Sequence, residues 1–525
     1  MNYYFSMQYS AIQKTVIRHD RLWSMAGISQ MLSKLNEIEM PDIAKRNSGT
    51  VLISAGGKFT ASFRDLTSAQ RAKEAIIKML STTLPMLEFQ CSEIVAADTL
   101  RSALRKEDNR GLIEQLSESK RCFRGYGYTY NPHLQVCDEC GEYPSEHGWD
   151  SNSRICRFCH ESFEHSKINP LAVTSSDTLT SIERIYREFL KQFPPDSQPH
   201  IPRNFENLFT TSNNGKETQR MAVWASDINN MGDKIPLWLS VDEENINGLL
   251  SRVTDFNIKF ITSALIDTFR TATVRSEEDE REYIPFRIII GGGDDLCIVM
   301  NSKYILPFTL ALSRSLHRLM ENEVKVDKNH PLNIDYLESL RERLKFGKEL
   351  KPHSFGGAFV VVPLHTPFRK IHQLSESLMK EAKKKTQRMG NSVNWRVLST
   401  DEQPVLESLI PLDKPLFIEK RDDYITFEDY YEMTESFSSL SSSYIQQVVS
   451  RGVEIASEAE SAEESGKMLE TFLKRMPAAS GDRDSLHNKL ILEPRLRKDG
   501  TLSVSRLFTL FELIRLYHDN AGKKN

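Results

Sequence analysis

The stretch Phe286–Met300 combines apolar residues, glycines and carboxylates in an order that suits a catalytic turn. Its sequence, FRIIIGGGDDLCIVM, places Gly292 and Gly293 just before Asp294 and Asp295, between two apolar runs. The apolar runs predict two buried strands, and the glycines permit a tight hairpin with close approach of a ligand to the backbone. Adjacent carboxylates at the end of buried strands repel each other, and a divalent cation relieves this repulsion. An ordinary aspartate-rich turn is the alternative interpretation.

A third carboxylate, Asp227, follows the predicted strand Met221–Ser226. If that strand end lies beside the hairpin turn in an antiparallel sheet, the three aspartates form a cluster suited to two Mg²⁺ or Mn²⁺ ions. Such ions stabilise an attacking 3′-oxygen and neutralise a nucleotide triphosphate. The backbone carbonyl at Ile228 would add a metal ligand. Gly232, predicted in the loop that follows, would let this loop approach a phosphate.

A predicted amphipathic helix, Pro367–Arg388, carries a run of basic residues near its end. A solvated basic face is the usual explanation of such a run. The alternative is that one lysine reaches the triphosphate, and Lys383 is the first choice.

Four cysteines form two CxxC pairs separated by fifteen residues: Cys137 and Cys140, then Cys156 and Cys159. This is the spacing of a zinc ribbon, and the intervening residues are polar and turn-rich. Four thiolates leave no open coordination position, so the predicted zinc is structural.

Composition limits the possible classes of protein. The chain has 525 residues, 39% hydrophobic and 27% charged, with a formal net charge of −4. A chain of this length requires several domains, and its charge allows a nucleic-acid surface only as a local patch. No apolar run approaches the roughly 20 residues that cross a bilayer, and the first residues do not resemble a secretion signal. The seven cysteines, four of them in close pairs, fit a reducing cytoplasm with a metal site.

The elements needed to position these residues occur twice in the same order: strand, helix, Gly-Gly hairpin, helix. This order predicts an α+β fold with two ferredoxin-like units and a mostly helical C-terminal part. The predicted domains are a first unit at 1–115, a zinc-ribbon and helical linker at 116–214, a second unit at 215–405 and a helical domain at 406–525.

The chain resembles the large catalytic subunit of type III CRISPR effector complexes, of the Cmr type. The resemblance rests on the repeated order of elements, the Asp227 loop, the Gly-Gly-Asp-Asp turn and the cysteine ribbon. The resemblance covers most of the chain. It implies two palm domains that face each other, each holding an ATP, inside a complex of guide RNA and other subunits. The Gly-Gly-Asp-Asp palm would act as a nucleotidyltransferase, forming 3′–5′ linkages to give cyclic oligoadenylates once target RNA pairs with the guide.

The same resemblance implies roles for individual residues. Asp227, Asp294 and Asp295 would bind the catalytic metal ions. The hairpin at Gly56, Gly57 and Lys58 resembles a degenerate counterpart of the Gly-Gly-Asp-Asp turn. It lacks carboxylates, so it would only bind nucleotide.

Two features depart from the family pattern. The family often begins with a histidine–aspartate nuclease domain, whereas here the first unit starts at once and His19-Asp20 falls within its opening helix. Cleavage of DNA is therefore not expected. Asn229 stands where a second acidic residue is often found, which would remove one metal contact.

Three other functions remain open from the residues. The same chemistry would serve to join AMP to a different acceptor. A non-catalytic scaffold within an RNA–protein complex has no need of three clustered aspartates. A cyclic-dinucleotide cyclase of the GGDEF type would carry Gly-Gly-Asp-Glu-Phe instead of Gly-Gly-Asp-Asp, and would leave the ribbon and first unit unexplained.

Overall fold

The structure is a computed structural model. It describes residues 1–10, 12–17, 20–84, 87–105, 111–119, 135–141, 143–148, 153–173, 175, 178–209, 219–241, 245–276, 279–398, 412–475 and 482–521. No helix within these ranges has the length and apolar character required to span a membrane.

The first unit is an antiparallel sheet covered by helices. Its strands are β1 (Asn2–Tyr9), β2 (Thr50–Ala55), β3 (Lys58–Phe63), β4 (Phe89–Cys91) and β5 (Val95–Ala97). Its helices are α1 (Ile12–Val16), α2 (Leu22–Lys34), α3 (Met40–Arg46), α4 (Leu66–Thr83), α5 (Leu100–Leu104) and α6 (Leu112–Ser119). A π-helical turn at Leu35–Glu39 joins α2 to α3. The opening helix that was predicted to contain His19-Asp20 is not continuous, because Asp20 and Arg21 are not helical and lie between α1 and α2.

Local sequence explains how α4 forms and packs. The Asp65 side chain caps its start by accepting a hydrogen bond from the backbone N–H of Ser68 at 2.8 Å. Ala69, Ala72 and Ile76 recur at intervals of three and four residues and are fully buried. One apolar stripe of the helix therefore faces the sheet.

The region between the units holds the cysteine ribbon and two helices. Its elements are β6 (His147–Gly148), β7 (Arg154–Ile155), α7 (Arg157–Ser166) and α8 (Ser181–Leu190). Helix α7 packs closely on α2: a methyl group built on Gly27 would lie 1.8 Å from the backbone oxygen of Ser162, so only glycine fits. The ribbon is thereby attached to the first unit.

The second unit is also built around a mostly antiparallel sheet. Its strands are β8 (Arg220–Ile228), β9 (Val274–Arg275), β10 (Glu282–Tyr283), β11 (Phe286–Gly292), β12 (Asp295–Asn301), β13 (Phe355–Pro363) and β14 (Ser392–Val397). Its helices are α9 (Met231–Val241), α10 (Ile246–Phe269), α11 (Ile305–Leu319), α12 (Ile334–Arg343) and α13 (Phe368–Lys385).

Both units share one sheet topology. The first sheet has the strand order β2-β3-β1-β4, and the second begins with the order β11-β12-β8-β13. If only the strands of each sheet are numbered, in chain order, both orders are 2-3-1-4, with the first strand in the middle and antiparallel to both neighbours. The predicted α+β class is confirmed, and the predicted repeat has a counterpart in the sheets.

The C-terminal part is mostly helical, as predicted. It consists of β15 (Leu416–Phe417), α14 (Phe427–Phe437), α15 (Ser442–Glu458), α16 (Ala462–Arg475), α17 (Asp482–Leu492), β16 (Arg497–Lys498), β17 (Thr501–Leu502) and α18 (Val504–Ala521). Strand β15 pairs with β14, so this part extends the second sheet.

Candidate active site

The turn between β11 and β12 carries Asp294 and Asp295, and hydrogen bonds hold it on two sides. Gly293 has a φ of +71°, a left-handed conformation that favours glycine. The Asn257 side chain donates a hydrogen bond to the Gly293 carbonyl at 2.7 Å. The backbone N–H of Ile228 donates to the Asp294 carbonyl at 3.0 Å. The turn is therefore fixed relative to α10 and to the end of the central strand β8.

Sheet register places two of the predicted aspartates side by side. Asp295 pairs directly with Asp227 on β8, and Asp227 pairs on its other side with Gly356 of β13. Directly paired residues project from the same face of a sheet, so the carboxylates of Asp295 and Asp227 are neighbours. The sequence predicted this proximity, and the pairing of β8 with β12 produces it.

Lys383 reaches this row of residues from α13. Its Nζ lies 2.5 Å from Oδ2 of Asp227, and its side chain is only 9% exposed. The aliphatic stem crosses Gly356, where a built methyl group would lie 2.3 Å from Cγ of Lys383. Because Gly356 has no side chain, the stem of Lys383 can pass directly over its backbone.

The carboxylates carry more negative charge than Lys383 neutralises. Burial, followed by the charges of Asp294 and Asp227, raises the pKa of Asp295 to about 7. Burial and Asp227 raise the pKa of Asp294, whereas Lys383 and Lys58 oppose this shift. Asp295 itself opens onto the cavity described below, but the surrounding protein still displaces much of its solvent. Excess negative charge of this kind favours a bound cation.

Glu376 is a fourth carboxylate at the site and was not predicted. It lies on α13, two helical turns before Lys383, and its charge adds to the rise in the pKa of Asp295. Gln13 of the first unit donates a hydrogen bond to its Oε1 at 3.3 Å. The seven-residue spacing to Lys383 places both residues on one helix face, which is the signal in the sequence that would have identified Glu376.

The glycine hairpin of the first unit abuts the turn of the second. Gly56 and Gly57 have φ values of +58° and +71° at the β2–β3 turn. A methyl group built on Gly293 would lie 3.6 Å from the Gly56 Cα, and one built on Gly56 would lie 4.0 Å from Oδ1 of Asp294. Lys58, at the start of β3, is close enough to oppose the rise in the pKa of Asp294. The two hairpins therefore meet at the carboxylates.

A cavity of about 520 Å³ lies between the two units at this point. Its lining includes Gly56 and Gly57 on one side, Asp294 and Asp295 on the other, and Arg184 of α8. This volume is within the range of roughly 300–1,000 Å³ that holds small-molecule ligands.

The segment after Asp227 differs from the prediction. Gly232 was predicted in a loop, but α9 begins at Met231, so Gly232 lies in the first helical turn. Asn229 is 1% exposed and is held by Ser354: its backbone N–H donates to the Ser354 carbonyl at 2.7 Å, and its side chain donates to the Ser354 hydroxyl at 3.0 Å. Asn229 thus joins β8 to the start of β13. His19 lies outside the described residues.

The four cysteines form a separate metal-binding cluster. Their sulfur atoms all lie within 4.8 Å of one another, and no other group of three or more potential ligands does so within the described ranges. Sγ of Cys140 and Sγ of Cys156 are 3.8 Å apart. Tetrahedral zinc with Zn–S bonds of about 2.3 Å requires a sulfur separation of about 3.8 Å, so the cluster fits zinc.

A methyl group at Gly356 should fill the space that the Lys383 side chain occupies and displace the lysine. If the site binds a nucleotide, as the sequence predicts, Gly356→Ala should weaken that binding roughly 10- to 100-fold, the range for losing a hydrogen bond to a charged group. Titration calorimetry with ATP measures the effect. Lys383→Met should weaken binding equally, and the double variant should be no weaker than either single one. Additive losses would show that Gly356 acts independently of Lys383.

A buried lysine lies behind the site and should make stability depend on pH. Lys234 is 1% exposed, and its Nζ lies 3.4 Å from Nδ1 of His353. Burial lowers the pKa of Lys234 from 10.5 to about 8. Between these values the unfolded chain binds more protons than the folded one, so this lysine makes the free energy of unfolding rise with pH.

Lys234→Met should therefore stabilise the protein at pH 7 by up to about 3 kcal/mol, the equivalent of this pKa difference. The gain should shrink from pH 8 upward and vanish above pH 10.5. Urea unfolding at several pH values measures it. The exposed Lys328→Met should change the free energy of unfolding by less than about 0.5 kcal/mol. A loss of stability at every pH would mean that Lys234 is held by favourable contacts.

Solved structures of Csm1 share the fold of this chain. The Csm1–Csm4 cassette in complex with cA4 aligns over 98% of this chain and 70% of that chain, with a TM-score of 0.52 and 13% identity. Csm1 in T. onnurineus aligns over 98% of this chain and 69% of that chain, with a TM-score of 0.52 and 14% identity. The cassette in complex with one ATP aligns over 98% of this chain and 70% of that chain, with a TM-score of 0.52 and 13% identity. No protein-family model and no curated protein matches the sequence.

Proposed function

We propose that this protein is the large subunit of a type III CRISPR effector complex and converts ATP into a cyclic oligoadenylate when target RNA binds. The observation that carries the proposal is the meeting of the two glycine hairpins at the carboxylates, beside one cavity that both units line. This arrangement suits two nucleotides bound between two palm domains, with the reacting atoms beside Asp294 and Asp295.

The proposed metal site consists of Asp227, Asp294 and Asp295, with the carbonyl of Ile228 as a further ligand. The raised pKa values of Asp294 and Asp295 support this role, because a divalent cation would neutralise the charges that raise them. Two bound Mg²⁺ or Mn²⁺ ions would activate the attacking 3′-oxygen and stabilise charge on the triphosphate. Glu376 adds to the negative charge that attracts these ions.

The remaining residues are proposed to bind the triphosphates. Lys383 is held by Asp227, and it would exchange that carboxylate for a phosphate when nucleotide and metal arrive. Gly292 and Gly293 keep the turn narrow, and Gly56 and Gly57 do the same on the first unit, so phosphates can approach both backbones. Lys58 would supply a positive charge from the first unit. Gly232 would let the first turn of α9 approach a phosphate.

The structural neighbours support the substrate and partners proposed. They were solved with cA4, with cA3, with pppApApA and with one ATP, as cassettes of Csm1 with Csm4. By analogy, we propose ATP as substrate and a second effector subunit as a partner. Guide RNA and target RNA are proposed as partners on the sequence resemblance alone. The neighbours are Csm1 proteins, whereas the sequence resemblance favoured the Cmr type, and the subtype remains a prediction.

The direct test is conversion of labelled ATP by the purified effector complex with Mn²⁺ and matched target RNA. We expect cyclic oligoadenylates that depend on target RNA, identified by mass spectrometry. The variant combining Asp294→Asn with Asp295→Asn should form none. A product with AMP joined to another acceptor would favour the adenylyl-conjugate alternative. Absence of any phosphodiester product from the intact complex would favour a scaffold.

A further inference from the structure

Asn36 is a buried polar residue with an unused hydrogen-bond acceptor in the lining of the cavity. The residue is 4% exposed, and its Oδ1 has no hydrogen-bond partner among the residues that the structure describes. Leaving a buried acceptor without a partner destabilises a fold, so an atom of this kind beside a cavity needs an explanation. A ligand that donates a hydrogen bond to Oδ1 would provide one.

The backbone around Asn36 is held rigidly. Asn36 lies in the π-helical turn Leu35–Glu39, an irregularity frequent at functional sites. The Ser54 hydroxyl donates a hydrogen bond to the Asn36 carbonyl. The neighbouring Glu37 accepts hydrogen bonds from the Ser181 backbone at 2.7 Å and from its hydroxyl at 2.8 Å. The carboxamide is thus presented from a fixed position, as recognition of a rigid base requires.

Strand β2 leads from this position to the hairpin at the carboxylates. Ser54, whose hydroxyl contacts the Asn36 carbonyl, precedes Gly56 by two residues, or roughly 7 Å of extended chain. Gly56 in turn adjoins Asp294. A nucleotide with its phosphates at the hairpins would therefore place its base near Asn36, within the cavity that all these residues line.

We infer that Asn36 reads the base of a bound nucleotide and selects adenine, an inference that rests on the proposed function. A carboxamide offers one acceptor and one donor. Adenine presents a matching pair, the N6 amino donor beside the N7 acceptor. The corresponding edge of guanine or hypoxanthine presents two acceptors, O6 and N7, and cannot satisfy both groups of the asparagine. Asn36 is thereby a specificity determinant that the first unit contributes.

The test compares ATP with ITP, which carries O6 in place of the N6 amino group. Binding of each nucleotide to the full chain in its complex is measured by titration calorimetry, and kcat/KM for each is measured from product formation. Asn36→Leu should lower the preference for ATP over ITP roughly 10- to 100-fold, the range for one bidentate base contact. Asn36→Asp should lower it less, because a carboxylate still accepts from N6. Asn322→Leu, the same change at an exposed residue outside the cavity, should leave the preference unaltered.

The outcomes separate this inference from the function on which it rests. Loss of preference in both binding and turnover with Asn36→Leu, with the thermal midpoint retained, supports both. Loss of preference in binding without any turnover by the parent protein supports the role of Asn36 and contradicts the proposed reaction. An unchanged preference in Asn36→Leu and Asn36→Asp, in a complex that converts ATP, overturns the inference alone. A parent protein that binds neither nucleotide overturns both.

Discussion

Asp295→Asn should reduce kcat for ATP conversion by roughly 1,000-fold or more, because a catalytic metal supplies several kcal/mol of transition-state stabilisation. The same change should leave the protein as stable as before, or more stable. Burial and neighbouring carboxylates raise the pKa of Asp295 to about 7, which means that its charge opposes folding. Asparagine keeps the shape and removes the charge. Activity and stability should therefore move in opposite directions, a result that simple damage to the fold cannot produce.

The measurements are product formation at saturating ATP and the midpoint of thermal unfolding. Asp227→Asn should lower activity similarly, but it also leaves Lys383 without its carboxylate partner, so any gain in stability should be smaller. Asp335→Asn at the exposed start of α12 is the control and should change neither quantity. Near-normal turnover by Asp295→Asn would exclude this carboxylate from the reaction.

Removing the cysteine cluster should have the largest effect on stability. Combining Cys156→Ser with Cys159→Ser should abolish zinc binding and cost on the order of 10 kcal/mol of local folding free energy, the scale of structural zinc sites. Backbone pairing within the ribbon cannot supply this folding free energy instead, because its strands β6 and β7 have only two residues each. Helix α7 begins at this cluster and packs on α2, with Phe163 and Trp23 in edge-to-face contact at 5.5 Å. The loss should therefore spread into the first unit.

Metal content measured by plasma mass spectrometry should fall from one zinc per chain to none. Limited proteolysis should then cut between residues 135 and 166, and the unfolding midpoint should drop. Cys91→Ser, in β4 and outside the cluster, should retain the zinc and lower the midpoint far less. Full zinc content in the double variant would show that other residues hold the metal.

The sequence by itself determined the local features of both sites. The Gly-Gly-Asp-Asp turn and the CxxC pairs are contained in short segments whose backbone geometry depends on glycine, apolar alternation and ligand spacing. The order of strands and helices also followed from hydrophobic periodicity, which predicted two similar units. These features persist wherever the segment is placed, because they depend on residues close together in the chain.

Tertiary structure decided which contacts residues distant in sequence make. The pairing of β8 with both β12 and β13 aligns Asp295, Asp227 and Gly356, and Gly356 then admits Lys383 to Asp227. No local pattern specifies that register, because it depends on the packing of the whole sheet against its helices. The contact of Gly56 with Gly293 and the position of Asn36 in the lining of the shared cavity arise in the same way, from the packing of one unit on the other. The hairpin at Asp294 and Asp295 was visible in the sequence, whereas Lys383, Glu376 and the first unit were brought to it by the fold.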